Sequence, residues 1–301
     1  TEIERYVRCF AWFKLVKLWT GMRWSDTVGL PPSNLRLDSR GLAGVLDRAK
    51  TTGAGKRVEQ LCIYVSFDAF LEHDSWLETG FLLWKQMGSD SASADRDFFL
   101  TRPNKSLEGC VLAMARYSDA SAMSLALSRR WTYLDELGVS QQVLLPNMGL
   151  CWTEHSERST LATWARCCGI LPETAKKMAR WQQSCEEDYV RAARLLIEGA
   201  QKIMASSIRS GRGRMDFLDE ENLWDQLRWK CDAEEWGLAF LEAQVARLRY
   251  FGEGVATPPL AEQVVHSPVV TLAVEAQVPP DAPTLTAASL ASLSAHADEA
   301  S

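Results

Sequence analysis

Apolar side chains recur at helical spacing at the front of the chain: Ile3, Tyr6, Val7, Phe10, Phe13, Val16 and Leu18, closed by Thr20-Gly21. Apolar positions three to four residues apart, stopped by glycine, predict a helix over 3–19. Between residues 34 and 66 the period changes. Leu35-Arg36-Leu37, Gly44-Val45-Leu46 and Leu61-Cys62-Ile63-Tyr64-Val65 read as short strands. Thr51-Thr52-Gly53-Ala54-Gly55 supplies a turn between the last two. Helical patterns resume over 68–87, 120–137, 159–168, 172–180, 185–207 and 218–249. The fold class expected is α+β, mainly helical, with a small antiparallel sheet inserted early.

Past Phe251 the pattern ends. Six of the prolines (Pro258, Pro259, Pro268, Pro279, Pro280 and Pro283) fall there, among Ala, Ser and Val, with no further aromatic. The expected organisation is a domain over 1–250 and a disordered, low-complexity acidic tail over 251–301.

Charge sharpens this division. The chain of 301 residues carries a formal charge of −6. Every Lys and Arg lies at or before Arg249, while Glu253, Glu262, Glu275, Asp281, Asp298 and Glu299 follow. The body is therefore neutral, and a neutral body can still hold a local basic cleft for phosphates. No run of ~18 uncharged apolar residues predicts a membrane span. The opening Thr1-Glu2-Ile3-Glu4-Arg5 has no apolar signal core, so no secretory leader is expected, and a start at Thr is expected of a fragment or processed product. The 8 cysteines show neither CxxC pairs nor a disulfide framework. Small buried residues in a reducing compartment is the expectation, with His73 and His155 too few for a zinc site.

Five segments then stand out for their order. The first is Thr20-Gly21-Met22-Arg23-Trp24-Ser25-Asp26, where an Arg follows a glycine stop. The second is Lys50 at the turn that continues through Lys56-Arg57, a basic tip narrow enough for a nucleic-acid groove. The third is His155-Ser156-Glu157-Arg158, with His and Arg three apart at a helix start and so on one face. The fourth is Arg180-Trp181, closing a helix that begins near Pro172. The fifth is Ser184-Cys185-Glu186-Glu187-Asp188-Tyr189, whose Ser184 and Glu187 have capping-box spacing, so that Tyr189 sits just past a first helical turn. Taken singly, these are ordinary surface or core residues. A basic link, Arg209, Arg212 and Arg214, follows, and then an amphipathic, aromatic extension over 216–249.

In this order the segments resemble the catalytic domain of the tyrosine recombinases, the phage-integrase-like enzymes. The likeness is to the variants of eukaryotic mobile elements of the Crypton and DIRS type, and it covers residues 3–207. The family pattern is a T-G-x-R-x-S-E/D segment, a β-hairpin Lys, an H-x-x-R box opening a helix, a His or Trp, and then a Tyr. The resemblance implies site-specific cleavage and rejoining of double-stranded DNA through a 3′-phosphotyrosyl link, used in recombination or integration, by a dimer or tetramer in the nucleus. It implies no metal and no other cofactor. Tyr189 would be the nucleophile. Arg23 and Arg158 would meet the phosphate charge, two planar guanidiniums being suited to oxyanions. His155 would serve as the base, and Lys50 (with Lys56 as the alternative) would protonate the leaving oxygen. Arg180 or Trp181 would fill the His/Trp slot. Lys56, Arg57, Arg209, Arg212 and Arg214 would contact DNA. Glu157 departs from the pattern, standing where the box usually has an apolar residue. The long interval between Lys50 and His155 calls for an insertion, and the short stretch before Arg23 has no room for the usual upstream helical domain. A decayed, DNA-binding relative that no longer cleaves is the alternative.

Overall fold

The computed structural model describes residues 3–46, 61–87, 96–135, 137–145, 147–179, 189–211 and 220–254. One compact unit spans Thr1–Val255. Of the expected tail, residues 251–254 are helical, and the rest lies outside the described residues.

The first helix, α1 (Arg5–Thr20), is the axis of the domain. Its apolar positions wrap round the helix, and Tyr6, Val7, Phe10, Phe13, Val16 and Trp19 are all buried, as expected of a helix enclosed on every side. Each fully buried large apolar side chain contributes about 1.5–3 kcal/mol of transfer free energy. On one flank lies α2 (Trp76–Met87). Gly80 of α2 leaves the space that Trp12 fills; a Cβ there would stand 2.1 Å from the indole. Trp12, Phe13, Phe81, Trp84 and Phe99 form a continuous aromatic cluster, mostly edge-on or tilted.

The early sheet is present. Strands β1 (Leu35–Asp38), β2 (Gly41–Leu46) and β3 (Leu61–Ser66) pair antiparallel in the order β1-β2-β3. Leu35 faces Gly44, and Leu46 faces Leu61. The turn bearing Lys50 lies outside the described residues. The interval before His155 holds β4 (Thr101–Pro103) paired with β5 (Cys110–Met114), α3 (Tyr117–Arg129), and the hairpin of β6 (Thr132–Leu134) with β7 (Ser140–Gln142). Then follow α4 (Ser156–Cys167), α5 (Pro172–Met178), α6 (Tyr189–Arg209), α7 (Glu220–Ala233) and α8 (Leu238–Gly254).

Three expected helices change their bounds most. The 68–87 helix begins only at Trp76, whose Nε1 donates to the Ala69 carbonyl at 3.0 Å and closes the preceding stretch as a turn. The 120–137 helix starts earlier and ends at Arg129, because Trp131 pairs its carbonyl with the Val143 N–H at 2.9 Å and starts the hairpin. The 218–249 helix is two helices. Glu235 and Gly237 take left-handed φ values of 57° and 75°, and the Trp236 N–H folds back on the Cys231 carbonyl. Helix α8 then docks on its own chain: Gln244 accepts from the Leu145 N–H at 2.7 Å and donates to the Val143 carbonyl at 3.0 Å. Among the described residues every cysteine is free, and no helix is long and apolar enough to cross a membrane.

Candidate active site

The site is built where α1 ends. Gly21 takes φ 59° and ψ 27°, and the Gly21 and Met22 N–H groups fold back on the Leu18 and Lys17 carbonyls. A side chain at Gly21 would meet Ala179 at 3.0 Å and Leu161 at 3.2 Å. Both the left-handed backbone and the close approach of α4 and α5 thus require glycine here. The chain leaves this junction through Met22 into Arg23, which precedes a 3₁₀ turn over Trp24–Gly29. The Arg23 N–H donates to Asp26 Oδ2 at 2.8 Å, and the Asp26 N–H donates to the Arg23 carbonyl at 3.0 Å.

Arg158 enters the same junction from the first turn of α4. Its Nη1 donates to the Gly21 carbonyl at 2.5 Å. Burial pushes its pKa down to about 10, and the neighbouring positive charge of Arg23 adds to the shift, while Asp26 opposes it. Arg158 is therefore half-buried against the segment that bears Arg23, with Asp26 as a nearby carboxylate. Such a place favours an anion able to accept from both arginines.

His155 lies at the N-terminal end of α4 with its ring exposed. It borders an open cleft of about 390 Å³ with Trp152, Ser156, Ser159, Thr163 and Trp164. The structure thus brings Arg23 and Arg158 together and sets His155 one helical turn before Arg158. Tyr189 is the first described residue of α6. The side chain of Tyr189 lies outside the described residues, as do Lys50, Lys56, Arg57, Arg180, Trp181, Arg212, Arg214 and the Ser184 capping box. Arg209 is engaged within the chain: its guanidinium lies 3.8 Å over the Phe70 ring and donates to the Phe70 carbonyl.

Glu157 does not break the α4–α1 contact as a lone buried carboxylate would. It joins a buried array with Glu154, Lys14 and Lys17. Lys14 Nζ reaches Glu154 Oε1 at 2.9 Å and also pairs with Glu157 Oε1. Lys17 Nζ, fully buried, reaches Glu154 Oε2 at 2.7 Å and Glu157 Oε2 at 3.3 Å. Ser124 Oγ donates to Glu154 at 2.7 Å, and Trp152 Nε1 donates to Glu157 at 3.3 Å. Burial alone would raise the Glu154 pKa, but Lys17 and Lys14 outweigh it and hold the carboxyl below its ordinary value. The signal was present in the sequence as two i,i+3 pairs, Lys14/Lys17 and Glu154/Glu157, the first on an otherwise apolar helix face.

Helix α6 is held to the sheet and to the end of α1. Gln201, fully buried, accepts from the Ser66 N–H at 2.8 Å and donates to the Tyr64 and Trp19 carbonyls at 3.0 and 3.2 Å. Arg194 donates from Nη2 to the Asp38 carboxylate at 2.7 Å, with its guanidinium 4.4 Å over the Tyr64 ring. Among the described residues no group of three or more His, Cys, Asp or Glu could hold a metal ion. Comparison with models of known families, with curated proteins and with solved structures found no match.

Proposed function

We propose that this chain is a tyrosine recombinase-like enzyme that cuts and rejoins double-stranded DNA, with Arg23 and Arg158 as its phosphate clamp. The observation that carries this reading is the hydrogen bond from Arg158 to the Gly21 carbonyl, which sets the H-x-x-R box against the segment that bears Arg23. The order of the two arginines in the chain, with the H-x-x-R box at the start of α4 and Tyr189 within α6, supports it.

In the proposed reaction the Tyr189 oxygen attacks a DNA phosphodiester. A bond forms from phosphorus to the tyrosyl oxygen and the bond to the 5′-oxygen breaks, so a 3′-phosphotyrosyl link and a 5′-hydroxyl result. The tyrosyl proton (free pKa ~10) passes to His155, and Lys50 protonates the leaving oxygen. Arg23 and Arg158 hold the non-bridging oxygens as charge builds on them. The reverse attack by a 5′-hydroxyl rejoins the strand. Assembly as a dimer or tetramer on DNA and a nuclear location belong to the same proposal.

Strand cleavage of a DNA library in the presence of a chelator tests the reading. Wild-type protein is expected to cleave, and Arg23→Ala or Arg158→Ala to lower the rate by about a hundredfold to a thousandfold. DNA binding without cleavage would favour the decayed relative instead.

A further inference from the structure

We propose that Lys14, Lys17, Glu154 and Glu157 are positioning residues that fix the register of α4 on α1 and thereby bring Arg23 and Arg158 together; this rests on the reading of those arginines as a phosphate site. Each lysine reaches both glutamates, so the array is a four-centre clamp rather than two separate pairs. A slip of α4 along α1 by one turn, about 5.4 Å, would break all four contacts at once.

Each half of the array precedes one arginine in the chain: Lys14 and Lys17 come before Arg23, and Glu154 and Glu157 before Arg158. Glu157 directly precedes Arg158. The Lys17 ammonium, besides holding Glu157 in the first turn of α4 and Glu154 just before it, lies 5.9 Å over the ring of Trp24, the residue after Arg23. Lys17 is also one turn before Gly21, whose carbonyl accepts from Arg158. One buried cation thus touches the segment that bears each guanidinium. Buried ion pairs add little net stability over well-packed apolar residues, and their best-attested use is to set register. That makes position, rather than stability, the reason for two lysines on the apolar α1.

The test uses the full chain and the double variant Lys17→Met/Glu157→Gln, which keeps the Lys14–Glu154 pair at 2.9 Å and leaves the buried charge balanced. Ser124→Ala, which removes only the hydroxyl donor to Glu154, is the milder second variant. Two quantities are read in protein shown to be folded: amide exchange over residues 21–26, and affinity for inorganic phosphate by calorimetry. The double variant is expected to exchange faster there and to bind phosphate about tenfold or more weakly, with Ser124→Ala shifted less in the same direction. Arg23→Gln and Arg158→Gln are expected to abolish phosphate binding. If those two variants weaken binding while the folded double variant binds as wild type, the positioning role is overturned. If the arginine variants themselves bind phosphate normally, the phosphate reading has failed and the proposal falls with it.

Discussion

Arg158 donates a hydrogen bond to the carbonyl of Gly21 at 2.5 Å. That contact ties the first turn of α4 to the end of α1 and leaves the guanidinium beside Arg23. Nearly every expectation about the site turns on this junction.

Gly21→Ala is expected to destabilise the domain by about 1–3 kcal/mol. The left-handed backbone resists a β-carbon, and Ala179 and Leu161 lie within 3.0–3.2 Å of where it would stand. Chemical denaturation checks this. A substitution without effect would show that the junction yields more easily than its packing implies.

Arg23→Gln is expected to raise the melting temperature slightly in phosphate-free buffer, since it removes the like charge that helps depress Arg158. Added phosphate should reverse the order. It should stabilise the wild type by mass action and leave the variant unmoved. Thermal melts with and without phosphate read both effects.

The buried array predicts an acid limit. The folded Glu154 carboxyl titrates below its ordinary 4.5, held there by Lys17 and Lys14 against the opposing effect of burial. Its contribution is fully present above the unfolded value and is lost as pH falls through the lower folded one. Lys14, Lys17, Glu157 and Ser124 all face this carboxyl. Lys17→Met, which leaves two buried carboxylates to one lysine, is expected to cost about 3–5 kcal/mol at neutral pH. It should also move the acid transition upward. Denaturant melts across the acid range measure both.

Gln201→Leu is expected to cost about 1–3 kcal/mol or more, because the Ser66 N–H and the Tyr64 and Trp19 carbonyls lose a buried partner. Amide exchange should rise at Ser66.

Much of the fold was legible where one period ran long enough. The stripe from Tyr6 to Leu18 and the three early strands are long or apolar enough to declare themselves. Strands β4, β6 and β7 are three residues each, and in β5 the adjacent Val111 and Leu112 are both exposed, so none of these strands shows an alternation to read. The break between α7 and α8 falls at Glu235, whose left-handed backbone no propensity suggests. At the site, motif order singles out Arg23 and Arg158, and the structure sets Arg158 on the carbonyl of Gly21, two residues before Arg23. Lys17 and Glu157 were not, because charges three apart on a helix read as a solvent face until the partner helix is known. Arg209 was legible as basic, but not its stacking on Phe70.

The most direct test of the central claim is the covalent product itself. Full-length protein is incubated with a pool of nicked DNA duplexes and chelator, and the denatured adduct is digested and mapped by mass spectrometry. The account predicts a nucleotide joined through its 3′-phosphate to the peptide containing Tyr189, and no adduct from Tyr189→Phe. No adduct from the wild type, or one that persists in Tyr189→Phe, would contradict it.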